Sequence, residues 1–150
     1  MLKRSTTAPS GSTESSCSIS ISSSGADINL GSVQAENTDI FSVVMSSSST
    51  VTIGSLTLVN SGASFVASGS GNLAPIVFAN ETYALIDLRD LVTDANLSLA
   101  NAQSGTTILL GSGNNSIALG LGPDTVTGNS GVDIFTINDG SSGLSVALAD

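Results

Sequence analysis

Residues 111–137, GSGNNSIALGLGPDTVTGNSGVDIFTI, pass three times over one nine-residue phrase. Each pass runs from a glycine through a spacer to an Asx residue, then through a second spacer to an aliphatic or aromatic one. The three sets are Gly113, Asn115 and Ile117; Gly122, Asp124 and Val126; and Gly131, Asp133 and Phe135. The apolar position recurs at the same interval at Ile108 and Leu99 before the stretch and at Leu144 after it. The small position continues as Ser104, Ala95 and Gly140, while the Asx position decays to Thr106, Leu97 and Ser142. Glycine tolerates positive φ, and Asx side chains bond to nearby backbone. The polar half of each phrase therefore predicts a turn and the apolar half a short strand.

This phrase resembles the nonapeptide G-G-x-G-x-D-x-U-x of the RTX toxins and secreted proteases. The resemblance implies a parallel β-roll in which two nonapeptides close each coil, so that six passes over residues 93–146 give three coils. The first glycine of the family motif falls at Leu110, Leu119 and Gly128, and the second at Gly111, Gly120 and Asn129, so both are mostly replaced. The resemblance also implies calcium between turns two phrases apart, which pairs Asp133 with Asn115, and Asp124 with Thr106 or Ser142. Asp124, Asp133 and Asn115 are accordingly the calcium candidates. Each pair brings one carboxylate, whereas Ca²⁺ takes about six to eight oxygens. Turn chemistry accounts for the same residues without metal, so no cofactor is required and calcium is the one candidate.

Upstream the pattern has period two. SISIS alternates Ser with Ile19 and Ile21, ADINL puts Ile28 and Leu30 on one face, and TVTIGSLTLV repeats the signal, with Gly/Ser/Asn clusters between the runs. Pro75 marks an edge strand or a strand start. Short strands separated by frequent turns predict an all-β domain over residues 18–150, as a β-sandwich or as a β-solenoid or roll. One segment differs. NETYALIDLRDLVTD spaces Leu85, Leu88, Leu91 and Val92 by threes and fours behind Asn80 as an N-cap, so at most one short helix is expected, around 81–93, with a strand as the alternative. Its Asp87, Arg89, Asp90 and Asp94 read as a solvated face. Residues 1–17, rich in Ser and Thr, cannot bury enough apolar surface to offset their ordering entropy, and are expected to form an extended N-terminal arm held by a neighbouring subunit.

Composition narrows the chemistry. Twelve acidic residues against three basic ones give a net charge of -9, and the cations are Lys3, Arg4 and Arg89. A chain without a Lys/Arg stripe cannot displace counterions from phosphate, so no nucleic-acid partner is expected, and anionic membranes are disfavoured likewise. Without histidine there is no Ser-His-Asp or Cys-His centre, and GSGNNS lacks the lysine of a phosphate loop, so the chain is not expected to be an enzyme. Lone Cys17 forms no intrachain disulfide. The first residues lack the apolar core of a secretory signal, and no apolar run is long enough for membrane insertion.

What remains is a non-catalytic structural protein that binds a large repetitive assembly. The expected form is a virion decoration, cement or fibre component at the virion surface. Its expected partners are neighbouring copies of itself, as a homo-oligomer, and a major coat or surface protein. The alternative is a secreted RTX-like β-roll, an extracellular or cell-surface adhesin, matrix or surface-layer protein exported by a type I pathway.

Overall fold

Alternating small polar and branched apolar residues give a strand one wet and one dry face. In this chain the dry faces all turn toward one axis. The structure is a computed structural model that describes residues 2–7, 16–36, 38–59, 62–79, 83–137 and 145–147. Among these residues every regular element is a strand, and no helix long and apolar enough to cross a membrane is present.

The strands stack into a parallel β-solenoid with two long walls and one short one. The first wall is an eight-stranded sheet of β1 (Leu2–Thr7), β2 (Ser16–Ser23), β5 (Ile40–Met45), β8 (Ala63–Gly69), β11 (Tyr83–Asp87), β13 (Thr107–Leu109), β15 (Thr125–Thr127) and β17 (Ser145–Ala147). The second wall has six strands, β4 (Ser32–Ala35), β7 (Ser55–Leu58), β10 (Ile76–Phe78), β12 (Asn96–Ser98), β14 (Ser116–Ala118) and β16 (Ile134–Thr136). The short wall holds β3 (Ile28–Asn29), β6 (Thr50–Thr52) and β9 (Asn72–Leu73). Among the described residues all pairings are parallel except one: β1 runs antiparallel to β2 and lies along the outer edge of the first wall, with Leu2 opposite Ile21 and Thr7 opposite Ser16.

Sandwich and solenoid were both open from the sequence, and parallel register decides for the solenoid. Inward side chains stack in columns. Ile19, Phe41, Phe65, Ile86, Ile108, Val126 and Val146 succeed one another in the first wall, and Ile76, Leu97, Ile117 and Phe135 in the second. From Phe41 to Val126 the first column is almost wholly buried.

Cross-section shrinks along the axis. Asp27 and Thr50 occupy equivalent places 23 residues apart in the three-walled part, Ala95 and Asn115 lie 20 apart, and Thr106 and Asp124 only 18 apart. The short wall ends at β9, beyond which a single bridge joins Gly69 to Leu91. Every aromatic residue except Phe135 lies toward the wide end. Phe41 stacks on Phe65 at 6.2 Å, Phe65 meets Phe78 edge-on at 5.4 Å, and Phe78 meets Tyr83 at 4.9 Å. The Tyr83 hydroxyl donates to the Leu56 carbonyl at 2.8 Å, satisfying its one polar atom in the core. Two-walled coils are narrow enough for Leu, Ile and Val to fill. Leu110 and Leu119, where the RTX motif has its first glycine, are core residues exposed by no more than 1%.

One alternative is decided and one expectation needs correction. Over the described part of 81–93 the strand forms and not the helix: residues 83–87 are β11, and Tyr83, Ile86, Leu88 and Leu91 all point inward. An irregularity between Tyr83 and Leu85 inserts Ala84 into the strand, which turns a period of two into spacings that imitate a helix. The nine-residue rung also loses its first member. Ile117 stacks on Leu97 rather than on Leu99, because that coil is 20 residues long and carries its extra residues in the turn after β12. Leu99 remains buried at the end of that turn's approach. At the other end Val126 pairs with Val146, while Leu144 lies outside the described residues.

Candidate functional site

The Asx residues of the repeat sit in the turns that precede each short strand, where the backbone N–H groups of one coil face the side chains of the next. Nine-residue steps in chain position alternate between opposite edges of the solenoid. Asn115 and Asp133 precede β14 and β16 on the second wall, and Asp124 precedes β15 on the first. The three candidates therefore form two places, not one.

At the second-wall edge Asn115 is 1% exposed and fully engaged. Its Oδ1 accepts the Ala95 N–H at 3.1 Å from the coil before. Its Nδ2 donates to the carbonyls of Gly113 at 2.9 Å and Gly111 at 3.3 Å, and to Asp133 Oδ1 at 2.8 Å on the coil after. That same Asp133 oxygen accepts the Asn115 backbone N–H at 3.2 Å. Two carbonyls and a carboxylate are the kind of oxygens a hard cation gathers. Here they surround an amide nitrogen, which supplies partial positive charge and two donors to the same atoms.

A second ladder runs one residue outward. Asp94 Oδ1 accepts the Asn114 N–H at 2.7 Å, and Asn114 Oδ1 accepts the Val132 N–H at 2.8 Å. Sequence reasoning missed it because Asp94 and Asn114 fall outside the G-x-[ND] frame. Their signal was the match between residues 94–95 and 114–115 at the 20-residue coil length. The three-walled part repeats the device once, with Asp27 Oδ1 accepting the Thr50 N–H at 2.8 Å.

At the first-wall edge Asp124 Oδ1 accepts the Thr106 N–H at 2.8 Å. Ser142, the other expected partner, lies outside the described residues. Asp124 is 1% exposed, and its Oδ2 and the Thr106 hydroxyl have no hydrogen-bond partner. Burial pushes the Asp124 carboxyl above the usual carboxylate range, with the N–H groups of Thr106 and Gly120 pulling the other way. At neither edge do two carboxylates meet, and no group of three or more Cys, Asp or Glu side chains converges among the described residues.

The ladders join each coil to its neighbour with bonds that a plain strand stack lacks. Close approach in the turns is part of the same construction: a Cβ at Gly113 would run into the backbone of Thr93, and one at Gly122 into that of Ser104 and Gly105. The remaining charged cluster is a surface turn. Arg89 bonds both oxygens of Asp87, through Nε at 2.9 Å and Nη2 at 2.6 Å, and holds that carboxyl below its ordinary range. What the arrangement can do is fix coil register and present regular walls. No protein-family profile, no curated protein and no solved structure matches this chain.

Proposed function

We propose that this chain is a non-catalytic structural protein whose solenoid body docks on a large repetitive assembly, as a virion decoration, cement or fibre component. The observation that supports it most is regularity. Outward residues of the second wall follow one another in register from Ser32 through Ser55, Val77, Ser98 and Ala118 to Thr136. A surface repeating at the strand spacing of about 4.8 Å suits a partner that also repeats. The partners in this reading are neighbouring copies and a major coat or surface protein, with the N-terminal segment contributing to the contact. The test is density-gradient sedimentation of material from the native source. Stoichiometric co-sedimentation with a particle is expected; recovery of the chain as a free, unassociated species contradicts the reading.

A second reading, a secreted RTX-like β-roll at the cell surface, draws support from the 18-residue coils at Thr106–Asp124 and Asn115–Asp133. In that reading Asp124, Asp133 and Asn115 border calcium between coils. Following circular dichroism and melting across a millimolar Ca²⁺ titration tests it: gain of structure or stability supports the roll, and no change removes it.

A further inference from the structure

The eight-stranded wall turns an unusual face outward. Ile40 is 45% exposed and Val44 43% exposed on β5, and the partly buried Val66, Leu85 and Leu109 extend the apolar surface across β8, β11 and β13. Serine and threonine fill the positions between them. From β2 to β15 Asp87 is the one charged side chain on this face, flanked in its row by Val66 and Leu109. Its charge is cancelled within the chain, because Arg89 folds back from the following turn onto both carboxylate oxygens. In a chain of net charge -9 this stretch of wall, from β2 to β15, thus carries no uncompensated charge.

We propose that the outer face of the eight-stranded wall is a homotypic interface, which a second copy of this chain covers sheet to sheet. The proposal rests on the structural-protein reading above and names the surface through which copies meet. Neutrality removes the repulsion that would otherwise separate two acidic chains. Size also fits. Six strands from β2 to β15, from eight residues down to three at about 3.3 Å each and spaced about 4.8 Å, give roughly 500 Å² per copy before side-chain relief is counted. The pair then buries on the order of 1,000 Å² or somewhat more, at the lower end of specific interfaces, so weak, concentration-dependent association is expected. Opposed sheets pack about 10 Å apart, which side chains of Val and Leu size fill. The six-stranded wall is the poorer candidate: its outward residues are mostly Ser, Thr, Asn and Ala, with Val77 and Ile134 the large apolar exceptions among the described residues.

Sedimentation velocity of the full chain, with Cys17→Ser to exclude disulfides, tests this up to about 500 µM, well above the range expected for a small interface. The parent is expected to dimerise. Val66→Lys at the centre of the face should weaken the dimer at least about 10-fold, as should Arg89→Gln, which leaves Asp87 bare. Val77→Lys on the other wall should have no effect. All three sites point away from the core, so circular dichroism and melting should stay at parent values. A monomeric parent over the whole range overturns the interface, as does equal weakening by Val77→Lys. If the chain co-sediments with a particle yet stays monomeric alone, the particle reading survives and this interface does not.

Discussion

Asn115→Asp is the most informative single change, because it keeps the shape of the side chain and reverses the sign of what it offers. In the native coil Nδ2 gives hydrogen bonds to the Gly111 and Gly113 carbonyls and to Asp133 Oδ1. An aspartate there withdraws the donors from two buried carbonyls and sets a second carboxylate against Asp133 across a 2.8 Å contact. Loss of a neutral bond costs about 1 kcal/mol and of one to a charged partner about 2 kcal/mol, so the three bonds together come to about 4 kcal/mol before the added repulsion is counted. For a domain of this size that lowers the melting temperature by about 10 °C. Stability should return as pH falls and one of the two carboxyls takes a proton. It should also return with Ca²⁺, since the oxygens left unsatisfied are those a hard cation takes. At about 100 times the dissociation constant the recovery is about 2.7 kcal/mol. Thermal melts followed by circular dichroism, in chelator and in Ca²⁺, provide the assay. If the variant in chelator melts within about 2 °C of the parent, the ladder is not holding the coils and the reasoning fails.

Other consequences can be checked by the same melts. Gly113→Ala and Gly122→Ala each drive a methyl into the backbone of the preceding coil and should each cost at least about 3 kcal/mol; a Gly62→Ala control, where a Cβ meets nothing, should cost less despite the positive φ of 104°. Ile117→Asp or Val126→Asp puts a carboxylate at a position that is 0% exposed and should unfold the two-walled coils, read as loss of strand signal; a native melting temperature in either would refute the stacked core. Asp124 has a folded-state pKa raised above the ordinary 3.8, so its contribution to stability is fully present below pH 3.8 and is lost as pH rises through the raised value. Asp124→Asn should therefore gain on the parent in urea midpoint as pH rises from about 4 toward 7; a constant difference across that range would show that burial does not raise the Asp124 pKa.

Much of the two-walled part was legible because its coils are strict. Ile108 over Val126 and Ile117 over Phe135 follow from spacing alone, and so does the meeting of Asn115 with Asp133. Legibility fails where a coil changes length. Two extra residues after β12 move the rung from Leu99 to Leu97 and set the outer Asp94–Asn114–Val132 ladder out of frame. The three-walled part was harder for a different reason. Inward Ile19, Phe41 and Phe65 alternate with outward neighbours as they would in a sandwich, and alternation carries no information about parallel or antiparallel pairing. At β11 the inserted Ala84 erased even the alternation. The filling of the RTX glycine positions by Leu110 and Leu119 makes sense only once the column behind them is known to need bulk.

Parallel stacking in a single register is the claim on which everything else stands, and it converts directly into distance. Ser20, Ser42, Val66, Asp87, Leu109 and Thr127 occupy successive strands of one outward row. Spin labels on cysteines at Ser42 and Thr127, in a Cys17→Ser background, should therefore lie four strand spacings apart, about 19 Å, and labels at Ser20 and Thr127 five, about 24 Å. Pulsed dipolar spectroscopy measures both. The solenoid predicts that the second distance exceeds the first by one strand spacing; equal distances, or a shorter one from Ser20, would contradict it.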